Sequence, residues 1–280
     1  MKIKIMSDST CDLPKELLEK YNIDIMPLTV VKDDEAFSDG VTITTDDIFA
    51  HVAAGGNLCS TAAVGVLTYQ EKFAEFADKY DAVIHVNISS ELSASYQNAS
   101  LAAEEFDNVV TIDSRNLSTG QGLVVLKACE LAESTTSVDE IKEKLIDFTA
   151  KVESSFLIDR LDYMVKGGRC STVAALGANL LGLKPCIEVK DGKLAVVKKY
   201  RGNYAKCLAN YVKERLYNRD DLDRKHLFVT HTPVSEECKN AVADAVKEYA
   251  DFENIHWSTA GCTISCHCGP GTLGVLFTKK

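Results

Sequence analysis

Apolar positions in the first half of the chain fall alternately into short strand-like runs and helical patterns. KIKIMSD (2–8), DIMPLTVV (24–31), AVIHVNIS (82–89) and NVVTIDS (108–114) read as strands, and helices are expected over 14–21, 46–54, 69–79 and 95–105. Alternation at this spacing predicts a parallel sheet flanked by helices. Two more helices are expected over 120–131 and 138–151, the second opened by the cap signature Ser137-x-x-Glu140. A domain break placed just after it gives units 1–152 and 153–280.

In the second unit the apolar runs are longer and less regularly separated by helices. SSFLID (154–159), KPCIEVK (184–190), KLAVVKKYR (193–201), KHLFVTH (225–231), IHWSTAG (255–261) and LGVLFTK (273–279) read as strands, with helices near 161–165, 204–217 and 235–249. Asp191-Gly192 between two of these runs is the signal of a tight hairpin. The predicted fold class is therefore α/β in two domains. The N-terminal one is α/β/α with a mainly parallel sheet, and the C-terminal one is α+β with a mixed or antiparallel sheet.

Composition narrows the function classes. With 46% hydrophobic and 26% charged residues in 280, the chain has the balance of an ordinary globular protein. A formal charge of -10 disfavours nucleic acid as a partner. Stable membrane insertion is not expected, because no apolar run approaches the roughly 18 to 20 residues a spanning helix needs. No basic segment leading into an apolar one follows Met1, so the expected location is cytoplasmic, with the ten cysteines as reduced, mostly buried thiols.

Candidate chemistry gathers at expected strand ends. Ser7–Asp12 (SDSTCD) reads as a cap for the helix near Pro14, and Ser60-Thr61 as either a cap or a polar contact. Ser89, Ser90, Ser93 and Ser95 are more hydroxyls than one cap needs, and they precede a helix whose N-terminus favours an anion. Gly167-Gly168 allows a tight turn before Arg169, an anion or partner contact. In CTISCHCGPG, residues 262–268 taken as extended put Cys262, Cys266 and Cys268 opposite His267, so the four do not converge on zinc and no metal is expected. His267 is then either a buried structural histidine or a donor to an acid.

SDSTCDL, SSELSASYQNA, LDYMVKGGRCS, LKPCIEV followed by Asp191-Gly192, and CHCGPGTLG together resemble the DegV family over the whole chain. The resemblance implies a two-domain α/β protein with one fatty acid, such as palmitate, stearate or oleate, in a tunnel between domains, and no other cofactor. It also implies a partner, a dihydroxyacetone-kinase-like fatty acid kinase that phosphorylates the bound carboxylate for phospholipid synthesis. On this chain the implied carboxylate contacts are Ser93 and His267, with Thr61 or Ser60 as a third donor. Arg169 and Arg201 are implied to dock the kinase rather than wall the tunnel. Two departures fall near the head group: Cys59-Ser60-Thr61-Ala62 replaces the family's Thr-Ser-Gln-Pro, and Ala94 replaces the glycine after its serine. The reading is a carrier and not an enzyme; the competing reading is a serine hydrolase of acyl esters using Ser93, His267 and Asp113 or Asp8.

Overall fold

A computed structural model describes residues 1–135, 137–174 and 182–280. The N-terminal region holds strands β1 (Ile3–Asp8), β2 (Asp24–Met26), β3 (Thr29–Lys32), β4 (Glu35–Ser38), β5 (Ser60–Ala62), β6 (Ala82–Asn87) and β7 (Val109–Asp113). Its helices are α1 (Lys15–Lys20), α2 (Thr45–Ala53), α3 (Val66–Ala77), α4 (Ser95–Ala103), α5 (Ser118–Ser134) and α6 (Val138–Thr149). The order β2-β1-β6-β7 makes an all-parallel sheet, as the alternation predicts. DIMPLTVV is not one strand. Pro27 lacks the N–H a central ladder needs, and the chain divides there: β2 stays in the parallel sheet while β3 joins a separate sheet ordered β4-β3-β5.

The C-terminal region holds β8 (Val152–Leu157), β9 (Leu183–Lys190), β10 (Lys193–Arg201), β11 (Leu222–His231), β12 (Asn254–Thr259) and β13 (Leu273–Lys279). They form one sheet, β10-β9-β8-β13-β11-β12, antiparallel except for the β11–β12 pair, which is parallel. Helices α7 (Asp162–Gly167), α8 (Ser171–Ala174), α9 (Tyr204–Leu216), α10 (Glu236–Tyr249) and α11 (Cys262–Cys268) complete the region. Asp191 and Gly192 both have positive φ, 50° and 79°, which is the backbone the β9–β10 hairpin turn demands.

The two regions share a core. Helix α5 is buried on nearly every side. Val124, Val125 and Leu126 pack in one cluster with Ile5, Ile84 and Ile112 of the parallel sheet and with Phe228 and Leu276 of the C-terminal sheet. A helix apolar all round is a central helix, which explains the uninterrupted run GLVVL. The far face of the C-terminal sheet is covered by α9 and α10, through Leu208, Tyr211, Val242 and Val246. All ten cysteines are free and buried.

Two local expectations are corrected. The SDSTCD segment does not cap α1. Residues Ser9–Cys11 form a turn of 3-10 helix, Asp12 adopts φ 48°, and α1 starts at Lys15 with no side-chain cap. Residues 262–268 are helical, not extended. That helix has no cap of its own at Gly261. Aspartate side-chain oxygens from the N-terminal region supply one: Asp39 accepts the Cys262 and Thr263 N–H groups (2.9 and 3.1 Å), and Asp12 accepts Gly261 N–H (2.9 Å). Tertiary contacts thus satisfy the free N–H groups at the helix start and override a sequence rich in cysteine and β-branched residues.

Candidate functional site

A cavity of about 250 Å³ opens between the two regions. Its walls are mainly apolar: Leu28 and Ile88 from the N-terminal side, Met164, Leu194 and Ile264 from the C-terminal side, and Leu117 at the entry to α5. A smaller void, bounded by Phe156, Thr230 and Leu276, shares Leu117, Ile264 and Cys268 with it and continues the apolar space inward. Polar groups are few. They are Thr61, Ser93, Thr263, His267 and Arg169.

Strand alternation decides between the two hydroxyls of β5. Thr61 lines the cavity, whereas Ser60 is exposed on the other face and takes no part in the lining. Thr61 Oγ1 lies 2.8 Å from His267 Nε2, which joins the two regions across the cavity. Burial, aided by the nearby Arg169 charge, pushes His267 down to about 4, so the imidazole is neutral near pH 7. Its Nδ1 is buried without a hydrogen-bond partner among the described residues.

The helical geometry of α11 places His267, Ile264 and Cys268 on the cavity side and sends Cys262 and Cys266 to a separate cluster with Cys59, Val30 and Ile48. The thiols therefore sort by helix face, not by strand face. Among the described residues no group of three His, Cys, Asp or Glu side chains is arranged to hold a metal ion. Thr263, one turn before His267, lines the cavity with its Oγ1 buried and without a hydrogen-bond partner among the described residues. An extended reading of the segment hides it; the i, i+4 spacing to His267 is the signal that a helical reading exposes.

Ser93 and Ala94 line the cavity just before α4. Ser93 Oγ is 3.0 Å from Ser95 Oγ and accepts the Ser95 N–H at 3.2 Å. Gly167 and Gly168 have separate tasks. Gly168 ends α7 with φ 67°, donating its N–H to Met164 O, and sets the direction of Arg169. Gly167 lies against the His267 ring, where a Cβ would stand 3.2 Å from Cγ, 3.3 Å from Cε1 and closer still to Nδ1. Arg169 lines the cavity, so the expectation that it stands away from the walls is corrected. It is nevertheless exposed, with Nη1 donating to Gly167 O at 2.8 Å and Nε to Leu92 O at 3.4 Å. Arg201 is exposed at the end of the edge strand β10 and is not part of the cavity.

The hydrolase constellation is not assembled. His267 Nε2 meets Thr61 instead of Ser93. Asp8 is bound to Tyr69, Asn87 and the Ile88 N–H, and Asp113 to Ser90 and the Arg115 N–H. Neither carboxylate orients His267. Among the described residues no helix is long and apolar enough to cross a membrane.

The family model described as uncharacterised protein, DegV family, matches residues 2–280. A DegV domain-containing protein of Clostridium perfringens is 33% identical over 284 aligned positions, covering 100% of this chain and 99% of the relative. Among solved structures, a DegV family protein from Thermus thermophilus described by its fatty acid binding superposes with a TM-score of 0.88 at 28% identity, covering 100% of both chains. A stearic acid-binding protein from Eubacterium ventriosum superposes with a TM-score of 0.83 at 29% identity, covering 99% of this chain and 98% of that one. With the matched residues spanning nearly the whole two-domain fold, this chain belongs to the DegV family.

Proposed function

We propose that the chain is a non-enzymatic carrier that holds one long-chain fatty acid between its domains, with the break between them at residues 152/153. Its carboxylate is presented to a dihydroxyacetone-kinase-like fatty acid kinase, and the acyl phosphate feeds phospholipid synthesis. The observation that carries the reading is an apolar cavity whose hydroxyl and imidazole groups, Thr61, Ser93 and His267, come from both sides of the domain junction. A carboxylate leaving water needs such donors, and an apolar tail gains roughly 0.8 kcal/mol per buried methylene. The fatty acids named for the Thermus and Eubacterium proteins support the ligand class. In this reading Thr61, Ser93 and His267 bind the carboxylate, the Ala94 backbone adjoins it, and Ser60 does not.

The kinase arm rests on the family resemblance. It agrees with Arg169 and Arg201 both being exposed, Arg169 at the cavity rim, where one guanidinium can face the head group and the partner together. Solvent extraction of natively purified protein followed by mass spectrometry should yield about one long-chain fatty acid per chain. Recovery of none, together with no uptake of added oleate or palmitate, would refute the carrier.

A further inference from the structure

Ser89 lies outside the cavity lining, yet it is fully buried and each of its polar groups is used. Its N–H donates to Asn116 O at 2.8 Å, and its carbonyl accepts the Leu92 and Ser93 N–H groups at 2.9 and 3.2 Å, which closes a turn that ends on the head-group serine. Its hydroxyl accepts the Glu91 N–H at 3.3 Å and gives its single proton to Gly192 O at 2.9 Å. Gly192 is at the tip of the β9–β10 hairpin, so this bond fastens the Ser93 turn of the N-terminal region to a hairpin of the C-terminal one. Arg115 donates to Asp191 O at the same tip and, from Nη1, to Ser90 Oγ at 3.4 Å, and Lys193 pairs with Glu91 at 3.3 Å. The approach is close. A Cβ on Gly192 would stand 2.6 Å from Ser89 Oγ and 2.8 Å from Arg115 Cζ.

Of residues 89–93 only Leu92 carries an apolar side chain, so hydrogen bonds largely fix where the turn stands. Resting on the fatty-acid reading above, we propose that Ser89 is a positioning residue for the carboxylate: its bond to Gly192 O holds the turn that sets the Ser93 hydroxyl at the cavity wall. The β9–β10 hairpin thereby takes part in head-group binding without touching the head group. Two residues beyond the tip, Leu194 lines the same cavity, so one joint keeps a head-group donor and an apolar wall in register. Without the joint the turn stays closed through the Ser89 carbonyl but can shift as a unit against the hairpin. A displacement on the order of an ångström is enough to break the Ser93 hydrogen bond to a carboxylate.

The experiment measures displacement of cis-parinarate by oleate from wild type, Ser89→Ala, Ser93→Ala and the double variant, each held well below its melting transition. Ser89→Ala should weaken oleate binding about three- to tenfold when Ser93 is present. With Ser93 already alanine the same change should cost less than about twofold, because residues that act through one contact do not add. A merely structural role would weaken binding by the same factor in both backgrounds. Arg115→Gln, at a half-exposed side chain, removes the bonds to Asp191 O and Ser90 Oγ and should repeat the pattern with a smaller loss. Wild-type affinity in Ser89→Ala, or an equal loss with and without Ser93, overturns the positioning role, while oleate binding by wild type leaves the carrier reading standing. Failure of wild type to bind either probe sinks the carrier reading and the positioning role with it. Should Ser89→Ala not fold, Arg115→Gln decides: no loss, or the same loss in both backgrounds, overturns the role.

Discussion

Gly167→Ala tests the head-group geometry through a residue that touches no ligand. Gly167 lies in α7 without a positive φ, so alanine costs the backbone nothing in conformation. The added methyl would stand 3.2 Å from His267 Cγ and nearer to Nδ1, inside the roughly 3.5 to 4.0 Å of comfortable carbon contact. Relieving that overlap moves the imidazole on the order of an ångström, and the 2.8 Å bond from Nε2 to Thr61 Oγ1 does not survive such a shift. One hydrogen bond to a charged head group contributes about 1.5 to 3 kcal/mol, so oleate should bind roughly ten- to a hundredfold more weakly. Isothermal titration with oleate measures this, with His267→Ala as reference for the full loss. Gly168→Ala is the contrast. No atom of the described residues lies within 4 Å of its missing Cβ, but its φ is 67°, so it should lower the melting temperature for a strain of about 1 kcal/mol and leave affinity nearly unchanged. Wild-type affinity in Gly167→Ala would refute the argument that His267 is held in place by that close approach.

Thr61→Val should weaken oleate binding about tenfold while Ser60→Ala changes nothing, since only Thr61 faces the cavity; equal effects in the same titration would contradict the strand assignment. Asp39→Ala should destabilise the fold by about 1 to 3 kcal/mol in urea denaturation and weaken fatty-acid binding as well, because two N–H groups at the start of the His267 helix lose their acceptor. The pH response has a definite sign. His267 sits at about 4 in the folded protein against an ordinary 6.5, so the unfolded chain takes up its proton first as pH falls. Its contribution is present above 6.5 and is lost as pH falls from there to about 4. Asp12, raised by burial to about 8, acts oppositely, adding stability as pH falls from 8 toward 3.8. Comparing urea stability of wild type and His267→Asn between about pH 7 and 5 isolates the histidine. Wild type should lose about 2 kcal/mol more than the variant, and parallel curves would count against the buried neutral imidazole.

Much of the architecture is written in periodicity. The parallel sheet follows from strands and helices alternating over residues 2–114, and the β9–β10 hairpin from Asp191-Gly192. What escaped the pattern depends on contacts distant in sequence. DIMPLTVV has the period of a single strand, yet Pro27 sends its halves into different sheets. Residues 262–268 carry strand-like side chains, and the acceptors that make them helical, Asp12 and Asp39, lie more than two hundred positions away. Reading the segment as extended also concealed Thr263 and missorted the cysteines. Asp12 looked like a local cap because its distant partners, Ser118 and Gly261, are invisible in linear order. The head-group candidates fared differently. Ser93, Ala94, Thr61 and His267 all reach one cavity, Ser60 does not, and Arg169 turns out to be both exposed and part of the rim. The choice between Ser60 and Thr61 needed only the register of β5 against β3, a three-residue strand too short for its pattern to declare.

The proposed carrier holds one fatty acid between its domains with the carboxylate at the Thr61–His267 contact. A crystal structure of the protein with oleate tests it most directly. The expected result is a single acyl chain per protomer, carboxylate oxygens within hydrogen-bonding distance of Thr61 Oγ1, Ser93 Oγ and His267, and a tail running past Leu117 and Ile264. A carboxylate lying against Ser60 or Arg201, or an apolar cavity left without ligand at saturating oleate, would contradict it.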